Sequence, residues 1–316
     1  MAIAKALLHS ESLSFRDYGR PTDSLLSQVE AYRLLVARKL DGARKSDYGQ
    51  FLTPAPIGHL MATMFTKPRT SLHILDAGAG MGSLSAALVD TAISWNPPPK
   101  SITVTAYEID EVLVEHLLET MEIVAARCRR LGVKFQADIR QEDFIDAGVK
   151  FLLGSKNEAR YLRGINAAIL NPPYRKLSSD SATRLLLRKA GIEISNLYAA
   201  FVWLTLKILS DGGELAAITP RSFCNGVYFR GFRQALLGLH FDRIHVFDSR
   251  DKPFSDDDVL QENIIYHGTK ATKLGERPQE LVVTSSNGPE DDALSVRHIP
   301  YEHFIHSDDP NAFFHV

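Results

Sequence analysis

Ala167-Ala168-Ile169-Leu170-Asn171-Pro172-Pro173-Tyr174 is a short apolar run that ends in an amide, two prolines and an aromatic ring. An apolar run of this length, bounded by prolines, is typical of a buried strand in a parallel sheet. In open α/β sheets, ligands bind at the carboxyl ends of the strands, so this turn is expected beside a binding crevice. Two successive prolines fix φ and donate no hydrogen bond, which gives a rigid turn whose backbone carbonyls can accept. Such a turn suits the binding of an NH2 group.

Strands and helices alternate on both sides of this turn. Buried strands are predicted at residues 72–75, 102–107, 133–137 and 214–219, and helices at residues 24–40, 111–130 and 197–209. This alternation indicates right-handed βαβ units and predicts an α/β fold with a doubly wound, mostly parallel sheet and flanking helices. Further strands are predicted at 244–247 and 263–266, followed by polar turns to the end of the sequence.

The composition is that of an ordinary globular protein. The 316 residues are 45% hydrophobic, enough for one large domain or two smaller ones. Lysine and arginine (36) nearly balance aspartate and glutamate (38), so total charge neither supports nor excludes a nucleic-acid partner. Cys128 and Cys224 lack the spacing of a zinc site or disulfide framework and are predicted to be core residues. The apolar segment 197–209 is too short to span a bilayer, so a cytoplasmic protein without membrane contact is expected.

A glycine-rich loop, Asp76-Ala77-Gly78-Ala79-Gly80-Met81-Gly82, follows the first predicted strand. Such loops bind cofactors, including dinucleotides, or simply allow tight packing. Glu108 ends the next strand, where a carboxylate can accept both hydroxyls of an adenosine ribose, which favours cofactor binding. The glycines stand at alternate positions, whereas the pyrophosphate-binding pattern has two residues before its third glycine. This spacing suits S-adenosylmethionine better than a pyrophosphate.

Asp143 and Phe144 follow the third predicted strand. They are either a carboxylate for the amino group of an adenine with a ring beside the base, or a loop acid next to a core phenylalanine. Asp138 is the competing acid.

Several other polar residues have a structural interpretation. His73 and His245 lie in apolar runs and are predicted to be core or edge histidines, and the acidic run 256–258 is predicted to be a solvated loop, so no metal is assigned. A basic cluster either follows DNA phosphates or forms a solvated helix face. Its members are Arg175, Lys176, Arg184, Arg188 and Lys189.

The order of these motifs resembles the gamma-group DNA adenine-N6 methyltransferases of bacterial restriction-modification systems. The resemblance rests on Gly49-Gln50-Phe51-Leu52-Thr53-Pro54, the glycine loop, Glu108 and the turn at 171–174, and it covers roughly residues 45–265. The segment 197–223 is also similar to the family's segment after the catalytic turn. The resemblance implies a class I methyltransferase fold, S-adenosylmethionine as cofactor and double-stranded DNA as partner.

The residues and the resemblance together predict a site. The predicted cofactor-binding residues are Thr53, Pro54, Asp76, Gly78, Gly80, Glu108, Ile109, Asp143, Phe144 and Asn171. The predicted catalytic residues are Asn171, Pro172, Pro173, Tyr174 and Phe229, where Phe229 is a second stacking ring by resemblance, with Tyr228 as its rival and a core role as the alternative.

The chemistry explains why such residues are needed. The lone pair of an adenine amine is delocalised into the ring, so two fixed acceptors, the Asn171 side-chain oxygen and the Pro172 carbonyl, would favour the reactive form. Because this amine cannot react inside a duplex, the base must be extruded. Stacking on an aromatic ring such as Tyr174 is worth roughly 1–3 kcal/mol per base, which is comparable to the cost of unstacking.

The predicted organisation has three parts: an N-terminal helical segment (1–47), a catalytic domain (48–250) and a C-terminal extension (251–316). The family carries a target-recognition domain after the catalytic region, so the chain is expected either to be truncated within that region or to rely on a separate specificity or restriction subunit. A protein glutamine methyltransferase is the nearest alternative, and the segment 50–54 favours DNA over it. An RNA adenine methyltransferase and a non-catalytic cofactor-binding subunit are further alternatives.

Overall fold

The computed structural model describes residues 24–39, 52–247, 262–272, 278–287, 295–306 and 308–316. Its strands are β1 (Ser71–Ala77), β2 (Ser101–Tyr107), β3 (Lys134–Arg140), β4 (Ala167–Leu170), β5 (Glu214–Pro220), β6 (Leu239–Phe247), β7 (Asn263–Lys270), β8 (Glu280–Ser286) and β9 (Ser295–Pro300). Its helices are α1 (Leu25–Lys39), α2 (Ala55–Thr63), α3 (Ser83–Ala92), α4 (Glu111–Arg130), α5 (Phe144–Leu152), α6 (Ala159–Leu162), α7 (Ala182–Lys189), α8 (Leu197–Ile208), α9 (Arg230–Leu236) and α10 (Tyr301–Phe304).

The strands of the described residues form one sheet in the order β3-β2-β1-β4-β5-β7-β6-β8-β9. Strands β1 to β5 are parallel to one another, and β7 is antiparallel to both of its neighbours, β5 and β6. The order in which successive strands are added reverses between β1 and β4, where chain connections leave the sheet toward opposite sides. The predicted doubly wound, mostly parallel sheet is therefore confirmed.

Helices cover both faces of the sheet. Successive residues of β1 alternate between two hydrophobic clusters, with Ile74 in one and Leu75 in the other. The Ile74 cluster contains α1 to α4, and the Leu75 cluster contains α5, α8 and α9. Cys128 and Cys224 are both buried, as predicted for core residues.

Gly82 allows α3 and α4 to pack closely. It lies just before α3 with φ +86°, and a Cβ built on it would lie 2.7 Å from Leu117 and 2.9 Å from Met121, both on α4. The third glycine of the loop thus has a packing role that a side chain would disrupt.

The end of the sequence differs from expectation. Polar turns were predicted after residue 266, but β7 continues to Lys270 and the strands β8 and β9 follow. Most residues of β9 are exposed and it pairs only with β8, so it lacks the alternation of buried and exposed residues that marks a strand in a sequence. The predicted domain boundary near residue 250 stays a prediction, although β7 belongs to the same sheet as β1 to β5.

Some predictions lie outside the described residues. These are the segment 49–51 of the first motif and the acidic run 256–258. Where the structure describes the chain, no helix has both the length and the apolar character needed to cross a bilayer.

Candidate functional site

A cleft of about 170 Å³ opens at the carboxyl ends of β1, β2 and β4. Eight of the residues predicted from the sequence line it: Gly78, Gly80, Glu108, Ile109, Asp143, Phe144, Asn171 and Pro173. They come from four separate stretches of chain, and the parallel sheet brings those stretches to one edge.

The glycine loop is tied to the end of β2. The backbone N–H groups of Gly78 and Ala79 both donate to the Tyr107 carbonyl at 2.9 Å, and Gly80 N–H donates to Glu108 Oε2 at 2.8 Å. Gly78 and Gly80 have φ of +74° and +56°, which favours glycine at both positions. The loop therefore holds a fixed conformation along one wall of the cleft.

The carboxylate of Glu108 is fixed by backbone amides on both oxygens. Besides Gly80 on Oε2, Ile109 N–H (2.8 Å) and Asp110 N–H (2.9 Å) donate to Oε1. Glu108 is only 2% exposed, yet it lines the cleft. An acceptor with a fixed orientation is thus available at the cleft wall.

Asp76 is buried against α3 and is not part of the cleft lining. Its Oδ2 accepts from Ser85 Oγ at 2.6 Å, and burial raises the pKa of its carboxyl group to about 7, with a smaller contribution from the nearby Glu108. In this structure the Asp76 side chain bonds Ser85 on α3, the helix that follows the glycine loop. Direct contact between Asp76 and a cofactor stays a prediction.

Asp143 and Asp138, the two competing acids, lie in different places. Asp143 lines the cleft and caps α5, with Oδ1 accepting from Ile145 N–H at 2.8 Å. Asp138 lies within β3 and accepts from the Gln136 side chain at 2.8 Å. Phe144 is almost fully buried against Phe201, with ring centroids 5.2 Å apart, so the structure supports both a core role and a cleft-lining role for it.

The side-chain amide of Asn171 is held at both ends. Its Nδ2 donates to Thr53 Oγ1 at 3.0 Å, and its Oδ1 accepts from the Tyr174 hydroxyl at 3.1 Å. The Tyr174 hydroxyl is also 3.2 Å from the Ile218 carbonyl, and its burial raises the tyrosine pKa well above its usual value. The hydroxyls of Thr53 and Tyr174 thus bond opposite ends of the amide. Pro172, which follows Asn171, is buried.

Aromatic rings form a continuous row next to this turn. The Tyr198 ring centroid is 6.2 Å from that of Tyr174 and 5.9 Å from that of Phe229. Tyr228 is 88% exposed and is not part of this row of rings. Of the two rival rings, Phe229 is therefore the one connected to the turn.

A sequence profile of the Eco57I restriction-modification methylase family matches residues 103–254, the stretch from β2 past β6 that contains Glu108 and the turn at 171–174. The chain carries an Eco57I restriction-modification methylase domain. Type II methyltransferase M.PstI of Providencia stuartii is 43% identical over 295 residues, and M.BsuBI of Bacillus subtilis is 41% identical over 298 residues. These matches cover 93% and 92% of this chain but 56% of each relative, so the chain spans about half their length.

Solved structures agree on the fold of the methylase domain. A Listeria monocytogenes protein assigned to the class I S-adenosylmethionine-dependent methyltransferases superimposes with a TM-score of 0.62. That match is 13% identical and covers 92% of this chain and 83% of the other. The fold is the class I methyltransferase fold that the motifs predicted.

The methylase domain also has cleft residues that the sequence did not nominate. Leu52, Tyr107, Glu142 and Phe201 line the cleft, as does Arg175, which had been considered only for phosphate contact. Phe201 lies in the apolar helix α8, where an aromatic residue facing a cleft looks like any core residue. Arg184 and Arg188 of the basic cluster are paired with Glu193, with contacts of 2.7 Å, which fits the solvated-face alternative for these two.

Proposed function

We propose that this protein transfers a methyl group from S-adenosylmethionine to the N6 amino group of an adenine in double-stranded DNA, as part of a restriction-modification system. One observation carries the proposal. The Asn171 amide, which Thr53 and Tyr174 bond at opposite ends, lies in the same cleft as Glu108 and Asp143. An oriented acceptor beside a cofactor-sized cleft is what methylation of an amino group requires.

The cleft residues fit the cofactor. A Cβ on Gly78 would lie 3.5 Å from Phe201 and 3.8 Å from Pro173, both of which line the cleft, so a side chain there would fill the space that the glycine leaves open. Glu108 would accept from the ribose hydroxyls and Asp143 from the adenine amino group. Thr53, which shares a smaller cavity with Gly80 and Asn171, would lie at the methionine end. When bound, S-adenosylmethionine supplies an electrophilic methyl group.

Asn171 and Pro172 would bind the amino group of the substrate. Each of the two acceptors, Asn171 Oδ1 and the Pro172 carbonyl, would accept a hydrogen bond from one amino hydrogen. These hydrogen bonds would stabilise the positive charge that develops on nitrogen as its bond to the methyl group forms. Because both acceptors are held by the rigid turn before substrate arrives, they need no reorganisation during the reaction. A preorganised acceptor of this kind is worth about 3 kcal/mol.

The row of aromatic rings would stabilise an extruded base. Tyr174 is half-buried beside Asn171, and Phe229 is connected to it through Tyr198. Two rings at roughly 1–3 kcal/mol each are enough to offset the few kcal/mol that unstacking costs.

Sequence recognition and assembly belong to the same proposal. The catalytic domain would span residues 48–250, followed by an extension at 251–316. The named relatives M.PstI and M.BsuBI are about twice as long as the matched region. We propose that choice of target sequence depends on residues of a target-recognition region or on a separate specificity subunit.

Tritiated S-adenosylmethionine tests the proposal directly. The purified chain is offered duplex DNA, RNA and a protein extract in separate reactions, and labelled DNA is digested to nucleosides to identify the methylated base. Label in N6-methyl-2′-deoxyadenosine from DNA is expected, and it should disappear in Asn171→Ala. Label confined to protein would indicate the glutamine methyltransferase and label confined to RNA the RNA enzyme, and either result would overturn the proposal. Cofactor binding without transfer, also when duplex DNA and a cell extract that supplies a specificity subunit are offered together, would indicate the non-catalytic subunit and overturn it as well.

A further inference from the structure

A carboxylate on helix α1 bonds the backbone at the start of α2. Glu30 Oε2 accepts from the backbone N–H of Ala55 at 3.0 Å, and Ala55 is the first residue of α2. Pro54, at the N-cap position, has no side-chain acceptor for this end of the helix. Glu30 therefore caps α2 from a different helix, at an end where a negative charge is also favourable.

Arg33 fixes the orientation of this carboxylate. Arg33 Nε donates to Glu30 Oε2 at 2.9 Å and Nη2 donates to Oε1 at 2.8 Å, a two-point contact between adjacent turns of α1. The Arg33 side chain is 3% exposed and that of Glu30 is 24% exposed, so solvent screens the pair only weakly. The cap is consequently a fixed part of α1.

The capped segment leads directly to Asn171. Thr53, two positions before Ala55, is 6% exposed and accepts from Asn171 Nδ2. The neighbouring cleft residue Leu52 packs in a small buried cluster that includes residues of α1. The other members of this cluster are Tyr32, Val36, Met81 and Leu113. Helix α1 thus supports one wall of the cleft and the residue that orients the amide.

We infer that Glu30 is a positioning residue for methyl transfer: it caps α2, the cap fixes the backbone of Thr53, and the Thr53 hydroxyl keeps the oxygen of Asn171 on the substrate side. The inference rests on the proposed role of Asn171. Displacement of a reacting group by a fraction of an ångström reduces rates by an order of magnitude or more, so a cap remote from the chemistry can have a large effect.

A double-mutant cycle on the full chain tests this link. Glu30→Ala and Thr53→Val are each expected to lower kcat for DNA methylation about tenfold. The double variant should be no slower than the slower single variant, because both changes remove the same restraint. Glu30→Gln keeps an oxygen for the Ala55 amide and should recover part of the lost rate. Losses that multiply in the double variant, or a wild-type kcat in Glu30→Ala, would overturn the inference.

A second readout and a matched control keep the test independent of the methyl acceptor. The dissociation constant for S-adenosylmethionine, measured by calorimetry without DNA, should show the same non-additivity, since Thr53 itself lines the smaller cavity proposed for the methionine end of the cofactor. Tyr32→Phe removes a different tether of α1, to His116 and Glu119 on α4, and keeps the ring in the cluster with Leu52. It should lower the melting temperature, and its effect on kcat should add to that of Thr53→Val. If Glu30→Ala does not fold, the cycle with Glu30→Gln decides by the same criterion. Coupling in cofactor affinity without DNA methylation would refute the proposed function alone, and DNA methylation without coupling would refute the inference alone.

Discussion

Asn171 Nδ2 lies 3.0 Å from Thr53 Oγ1, although the two residues are 118 positions apart in the chain. In this structure the hydroxyl oxygen accepts from the NH2 end of the amide, and the Asn171 oxygen lies toward Tyr174. Tyr174 donates to that oxygen at 3.1 Å. An amide whose two ends have different fixed partners is an oriented acceptor.

Asn171→Ala should abolish methyl transfer and preserve cofactor binding. Removal of one preorganised acceptor is expected to lower kcat by about a hundredfold or more. Rates come from single-turnover label transfer and affinity from calorimetry with S-adenosylmethionine. Asn166→Ala is the matched control, because Asn166 precedes the opposite end of β4 and its side chain bonds backbone atoms of Ser71 and His73. It should lower the melting temperature and leave kcat intact; loss of cofactor binding in Asn171→Ala would mean that its role is misassigned.

Glu108→Gln should weaken cofactor binding more than loss of charge alone suggests. Backbone N–H groups donate to both oxygens of Glu108, so either orientation of a glutamine would turn its NH2 group toward another donor. The NH2 group also cannot accept from a ribose hydroxyl, and such a lost contact costs about 1–3 kcal/mol, or roughly five- to 150-fold in affinity for S-adenosylmethionine. Glu142→Gln is the comparison, since Glu142 also lines the cleft but is 44% exposed and paired with Arg140. Equal effects of the two substitutions on the dissociation constant would contradict the proposed role of Glu108.

Phe229→Ala should reduce stabilisation of an extruded adenine. Loss of one stacking ring is expected to cost roughly 1–3 kcal/mol in kcat/KM for DNA and to lower the fluorescence change of 2-aminopurine placed at the target base. Cofactor affinity should not change. Tyr228→Ala provides the control, because that ring is 88% exposed. A loss in Tyr228→Ala with normal behaviour of Phe229→Ala would reverse the assignment of the second ring.

Asp76→Asn should make the stability of the protein less dependent on pH. Burial raises the Asp76 pKa to about 7, so the folded protein keeps this proton while the unfolded chain loses it near pH 4. Between these values the unfolded state binds fewer protons, and this group makes stability fall as pH rises. Asparagine keeps an acceptor for Ser85 without this penalty. Urea unfolding measures the difference in free energy of unfolding between variant and wild type. From pH 5 to pH 7.5 this difference should change by at least about 1 kcal/mol in favour of the variant; a difference independent of pH would rule out the raised pKa.

Gly82→Ala should destabilise the protein more than Gly132→Ala. Both glycines have positive φ, +86° and +72°, so an alanine at either position has a backbone cost of about 1–2 kcal/mol. A Cβ on Gly82 would also overlap Leu117 and Met121, whereas one on Gly132 would meet nothing within 4 Å. The overlap is expected to add about 1–3 kcal/mol, measured as the difference in free energy of unfolding between the two variants. Equal losses would show that α4 moves away at little cost.

The arrangement of the cleft follows from the sequence because a parallel sheet obeys few rules. Glu108 and Asn171 each come directly after a buried run, and strands in parallel register end at the same edge. That reasoning correctly brought the two residues to one cleft. Asp76 ends a strand as well, yet its side chain is bonded to Ser85 and does not face the cleft. Strand position alone does not give the direction of a side chain.

Contacts between distant elements could not be predicted in this way. Glu30 and Arg33 are spaced like an ordinary exposed ion pair on a helix, and nothing in their spacing indicates that Glu30 also caps α2. Strand β9 escaped prediction for the opposite reason: its side chains are mostly exposed, and it is held by backbone pairing with β8. Both features depend on partners that a local pattern does not contain.

The placement of β7 between β5 and β6 has a consequence for biosynthesis. A ribosome completes β5 and β6 first, and each lacks this neighbour until residues 263–270 have left the exit tunnel. Until then a nascent chain exposes open backbone edges that invite pairing with foreign strands. Chaperones are therefore expected to engage the growing polypeptide until residues 263–270 have emerged and β7 pairs with both neighbours.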